Sequence, residues 1–103
     1  MAAYQEYIHA LETQQGWLDV DLVHNCFLMG EEVGELFKAI RKHKKYFSES
    51  TQTVQSTIES KTAVAEELVD VFNYLLALAN RLDIDMEQAF RQKNAQNQRR
   101  TWT

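Results

Sequence analysis

Two pairs of acidic residues, Glu32 with Glu35 and Glu67 with Asp70, share one three-residue spacing within a chain of 103 residues. On a helix that spacing puts both carboxylates of a pair on one face. The stripes read Leu28, Glu32, Glu35, Ala39 and Ala63, Glu67, Asp70, Tyr74. In each, two acids stand between small or apolar neighbours. Beside each stripe runs a broad apolar face: Leu22, Met29, Val33, Leu36 and Ile40 in the first, and Val64, Leu68, Val71, Leu75 and Leu78 in the second. A single pair of this kind reads as solvated surface acids, but two matched pairs do not. Antiparallel packing of the two helices joins the apolar faces and brings the four carboxylates to their common edge.

Crowding like charges in a partly dry groove is unfavourable unless the acids take up protons or a cation compensates them. A divalent cation is the simpler answer. Oxygen-only ligands favour Mg²⁺, with Mn²⁺ as the alternative, over zinc or copper, which recruit His or Cys. Neither acid stripe carries the Glu-x-x-His pairing of di-iron bundles. Glu31 and Glu66 precede the stripe acids by one residue, ~100° round the helix, which suits a rim position or a hydrogen bond to a ligand.

A second charged region lies near the end of the chain. After Glu87 come Arg91, Lys93, Arg99 and Arg100 and no acid. Lys93, Asn97 and Arg100 fall at i, i+4 and i+7, one line of donors if the last helix extends that far. A metal-binding acidic cluster together with Lys and Arg donors is how proteins hold polyphosphates. Neither G-x-x-x-x-G-K-[ST] nor G-x-G-x-x-G is present, so phosphates would be held by metal and side chains, without a glycine-rich cradle.

The elements that must position these groups are helices. Proline is absent, glycine occurs three times, and the long stretches are rich in good helix formers. The expected first helix covers Tyr4 to about Gln14 and closes at Gly16 in the left-handed conformation. The second runs from about Asp19 or Asp21 to Tyr46, with Arg41, Lys42, Lys44 and Lys45 facing the negative end of its dipole. Between Ser48 and Ser60 seven of thirteen positions are Ser or Thr without an apolar period, which reads as a mobile connector, either a lid over the active site or, the favoured reading, a disordered insertion without contact to substrate. The third helix is expected from about Ser60 to Leu82. The fourth follows Asp85, which forms a capping-box pattern with Gln88, and it ends in a polar tail over 99–103.

The whole chain is one domain's length, residues 1–103. Hydrophobic residues at 45% and charged residues at 25% argue against disorder. One cysteine and three histidines exclude a disulfide scaffold and a multi-cysteine zinc finger. No apolar run reaches the length of a membrane span and the first residues lack a signal peptide's pattern, so a cytoplasmic location without membrane attachment is expected. Eleven basic against fifteen acidic residues give a net charge of −4, which argues against a nucleic acid polymer as partner. The third helix is apolar almost all round, and the second carries Val23, Phe27, Gly30 and Gly34 away from its main apolar face, so self-association is expected to bury both.

The ordered set Glu31-Glu32-Val33-Gly34-Glu35-Leu36 and Glu66-Glu67-Leu68-Val69-Asp70 resembles the MazG-like all-α nucleoside triphosphate pyrophosphohydrolases, marked by E-x-x-E followed by E-x-x-D. The match continues through Tyr74 and Lys93-x-x-x-Asn97-x-x-Arg100, and so spans roughly Trp17 to Trp102. The resemblance implies a small four-helix, bundle-like fold in a dimer or tetramer with sites formed between subunits. It implies Mg²⁺-dependent cleavage of a nucleoside triphosphate, foremost a dNTP in a pool-cleaning role, to a monophosphate and pyrophosphate. Glu32, Glu35, Glu67 and Asp70 would be the metal ligands, and Lys93, Asn97 and Arg100 would contact phosphate or sugar. His9, Trp17 and Tyr74 are similar to base-pocket residues of the dCTP-hydrolysing branch; aromatic faces suit that role because they stack on any base. Glu31, Glu32 and Glu35 are the candidates for the general base. The 31 residues between Glu35 and Glu67 form a longer interval than in the most compact relatives. The alternative function is a non-catalytic helical oligomer that binds a nucleotide or metal as a regulatory partner.

Overall fold

The computed structural model describes residues 1–48 and 54–100. Four helices carry the described residues, and no strand occurs among them: α1 Ala2–Gln15, α2 Leu22–Ser48, α3 Val54–Arg81 and α4 Met86–Arg99. Among these residues no helix is long and apolar enough to cross a membrane. The chain divides into two compact units, Asp21–Leu75 and the pair of segments Met1–Val20 and Leu76–Thr103.

The unit built from both ends of the chain is closed by specific polar contacts. Gly16, at φ 73°, ends α1; its amide donates to the Thr13 carbonyl (3.3 Å) and the Trp17 amide to that of Glu12 (2.9 Å), which satisfies carbonyls left over at the helix end. Gln5 ties α1 to the turn before α4. Its Nε2 donates to Asn80 Oδ1 (3.1 Å) and to the Ile84 carbonyl (2.8 Å), and its Oε1 accepts from the Met86 amide (3.0 Å). Asn80 Nδ2 donates back to the Gln5 carbonyl at 2.9 Å. A full complement of partners spares this partly buried amide a desolvation penalty; the buried apolar residues of the unit are Ile8, Leu76, Ala77 and Ala79. Glu12, itself buried, pairs with Arg81 at 2.8 Å, and the same guanidinium donates to the Trp17 carbonyl at 3.0 Å. Asp85 caps α4, its side chain accepting from the Gln88 amide at 3.1 Å.

The other unit is α2 with α3 up to Leu75. Asp21 starts α2: its Oδ2 accepts from the His24 amide (3.3 Å), and its carbonyl accepts both the amide and the Nδ2 of the buried Asn25. The helices run antiparallel, since Glu32 faces Glu67 and Asp70 while His43, three turns on, faces Ser60. Ser60 is buried and donates to the Thr57 carbonyl at 3.0 Å. Its Oγ also shares a 2.7 Å hydrogen bond with His43 Nδ1.

The start of α3 corrects the sequence reading of a connector over 48–60. Val54 to Ser60 are helical; residues 49–53 lie outside those described. Ser and Thr disfavour helix interiors when their hydroxyls compete with the backbone ladder. Here the hydroxyls of Ser60 and Thr62 bond carbonyls of the preceding turn, and Gln55 bonds Glu59 at i+4 (3.1 Å), so the polar stretch is satisfied inside the helix. A second correction concerns Arg100, which has left the helix as the C-cap of α4 with extended backbone. Only Lys93 and Asn97 therefore share the expected helical line. Asn97 still gains a partner one turn back, its Nδ2 donating to Asn94 Oδ1 at 3.2 Å.

Candidate active site

Three of the four acids expected to converge do so. Glu32 from α2 and Glu67 and Asp70 from α3 each offer a carboxylate oxygen, and the three oxygens lie within 4.8 Å of one another. Glu32 and Glu67 are half-buried and Asp70 is exposed. Glu35, one turn after Glu32, is exposed and falls outside that trio; it lines the groove that continues from it. Glu31 and Glu66, on the neighbouring faces, are exposed.

The electrostatic consequence falls on Glu32. Partial burial, the largest cause, holds its carboxyl above the ordinary glutamate value of about 4.5; a proton shared with Glu67 and the negative charges of Asp70, Glu67 and Glu35 push in the same direction. Glu67 contributes a further sign of incompleteness: its Oε2 is buried and has no hydrogen-bond partner. A buried acceptor without a donor is destabilising, and it calls for a proton or a cation. An all-oxygen donor set with an orphaned carboxylate oxygen fits a hard divalent ion such as Mg²⁺ or Mn²⁺. Glu32, Glu67 and Asp70 would hold it directly, with Glu35 one turn away.

From the acids a groove of about 400 Å³ runs between α2 and the first turns of α3. Glu35 and Glu67 stand at its edge, Lys38 and Lys42 line it from α2, and Ser56, Glu59 and Ser60 line it from α3. The small side chains of Ala39 and Ala63 leave its space open. Sequence reasoning places Lys42 among cations that offset the helix dipole and misses Lys38. The available signal is their register, since 38 and 42 lie at i+3 and i+7 from Glu35 and so continue the acid stripe.

The remaining expected site residues fall elsewhere. Tyr74 is half-buried on α3, in the same unit as the acids. His9 and Trp17 are exposed in the other unit, where Trp17 follows the Gly16 turn. Lys93 and Arg100 are exposed and Asn97 is half-buried in that unit too.

A family model of the MazG nucleotide pyrophosphohydrolase domain matches residues 25–102. This span contains both acidic pairs, the groove and all of α4. No curated protein and no solved structure matches the chain.

Proposed function

The chain belongs to the MazG nucleotide pyrophosphohydrolase family, and on that premise we propose that it hydrolyses a deoxynucleoside triphosphate to a monophosphate and pyrophosphate, clearing unwanted nucleotides from the pool. The observation that carries this reading is the convergence of Glu32, Glu67 and Asp70, with the Oε2 of Glu67 buried and unpartnered. Together with Glu35 these residues would hold Mg²⁺, with Mn²⁺ as a substitute. When bound, such an ion supplies positive charge for phosphate oxygens and acidity for a nearby water.

The chain's own residues do the rest. A water oxygen forms the new bond to the α phosphorus, and the α–β bridging oxygen departs with the pyrophosphate. The water's proton passes to a carboxylate, for which Glu31, Glu32 and Glu35 are the candidates. Lys93, Asn97 and Arg100 contact phosphate or sugar, and His9, Trp17 and Tyr74 contact the base, Trp17 and Tyr74 by stacking.

We also propose a homo-oligomer. Among the described residues of the α2–α3 unit none of the large apolar side chains is fully buried, and Phe27 (70% exposed), Phe37 (65%) and Val69 (56%) lie open to solvent. Exposed apolar area on this scale in so short a chain is typical of surfaces that another protein covers. Phe27, which the sequence places on a surface for self-association, is left largely uncovered by its own chain.

The test is a panel of dNTPs with Mg²⁺, assayed for pyrophosphate. Release of pyrophosphate with a monophosphate supports the reading; nucleotide binding without turnover would favour the regulatory oligomer instead. Sedimentation at micromolar concentration reads the assembly, and a monomer there removes the second proposal.

A further inference from the structure

We propose that the groove between α2 and the start of α3 receives the β and γ phosphates of the substrate and the pyrophosphate they become, with Lys38 and Lys42 as donors. This rests on the hydrolase reading above and deepens it, since it fixes which way the triphosphate lies along α2.

The charge pattern of one helix face gives the direction. Glu32 and Glu35 occupy its first part, and Lys38 and Lys42 follow on the same face, about 4.5 and 10.5 Å further along the axis than Glu35 at ~1.5 Å rise per residue. A triphosphate with its α phosphorus at the carboxylates thus has its remaining phosphates over the lysines. Neither lysine is ion-paired among the described residues, so both ammonium groups keep their donors for a ligand. The facing wall of α3 supplies the hydroxyl of Ser56 and a floor at the buried Ser60. Ser56 belongs to the first turn of α3, where the helix dipole favours an anion.

The acids of the groove set a condition on what binds. Glu35, Glu59 and Glu67 outnumber the two lysines, so a bare anion is disfavoured and a cation-complexed one is not. Glu59 is engaged by Gln55 at 3.1 Å, and Glu35 and Glu67 lie toward the metal-binding end. The ligand class is therefore a magnesium-complexed diphosphate group. The groove also has depth because Ala39 and Ala63 line it, where a longer side chain would occupy the volume.

The deciding measurement is calorimetric binding of inorganic pyrophosphate with Mg²⁺ to the full chain, beside steady-state kinetics on a dNTP. In the double variant Lys38→Met/Lys42→Met, pyrophosphate affinity should fall about 10- to 100-fold, as loss of charge-assisted hydrogen bonds does. The KM for the triphosphate should rise by a similar factor while monophosphate affinity stays as it was. Ala63→Leu, which keeps both charges and a good helix former, should weaken pyrophosphate by filling the groove; helicity by circular dichroism checks that each variant folds. Pyrophosphate binding and KM unchanged in the double variant, or no pyrophosphate binding by the wild type, would overturn the proposal. If the wild type binds pyrophosphate but turns over no dNTP, the hydrolase reading fails and the double variant still decides the groove.

Discussion

Glu12 and Glu67 are both acids drawn out of water on the helices of one short chain, and only Glu12 has its countercharge built in. Its carboxylate meets Arg81 at 2.8 Å, and that guanidinium also holds the Trp17 carbonyl. The charge is thereby spent on architecture: the pair fixes the end of α1 to the end of α3. Glu67 faces Glu32 and Asp70 instead, with one oxygen buried and unpartnered, and no Lys or Arg pairs with it among the described residues. The first arrangement is closed and the second open, which is what a site for an external cation requires.

The strongest way to break this contrast is to remove the built-in cation. Arg81→Ala leaves a buried, unpaired carboxylate and should destabilise the fold by about 3–5 kcal/mol, read by urea unfolding. Arg81→Ala with Glu12→Gln should recover part of that loss. Next in size, Glu67→Gln should lower pyrophosphate release about 10²- to 10³-fold, roughly 3–4 kcal/mol in barrier, with helicity unchanged; a variant that keeps wild-type turnover would show that the open carboxylate is not needed.

A smaller effect separates the sites by their response to magnesium. Saturating Mg²⁺ should stabilise the wild type by about 2.7 kcal/mol at a hundredfold excess over Kd, and Asp70→Asn should lose most of that gain while Arg81→Lys keeps it. Thermal melts with and without chelator read the difference. Smallest is a pH effect in chelator. The folded state binds the Glu32 proton more tightly than the unfolded chain does, so ionising this group costs stability above its folded pKa. That cost is relieved as pH falls through the folded value and levels off below about 4.5. Glu32→Gln should therefore be the more stable protein at pH 7 and lose its advantage on acidification. An advantage independent of pH would point away from charge crowding.

How much of this was legible beforehand differs from group to group. The acid trio was, because a three-residue spacing and a helical period are local properties and the antiparallel return is what a short interval between two long helices allows. The end of α1 and the cap of α4 were legible for the same reason: Gly16 and the Asp85–Gln88 pair act within one turn. The Glu12–Arg81 pair was not, since nothing local in either residue marks a partner 69 positions away. The helical start of α3 was hidden by its Ser and Thr content, whose hydroxyls bond their own helix only once it exists. Lys42 was obscured by its neighbours, because a cluster of cations at a helix end has a sufficient explanation in the dipole, and Lys38, outside that cluster, was missed. Their part in a groove needs the facing residues of α3.

The contacts of Gln5 carry a consequence for the order of events during synthesis. Every partner of its side chain lies 75 to 81 positions later in the chain, so α1 is synthesised well before the residues that lock it in place. At about 5–20 residues per second, α1 waits several seconds with Ile8 uncovered. During that interval the nascent segment is a natural client for chaperones, and the finished protein can be assembled only after translation has passed Met86.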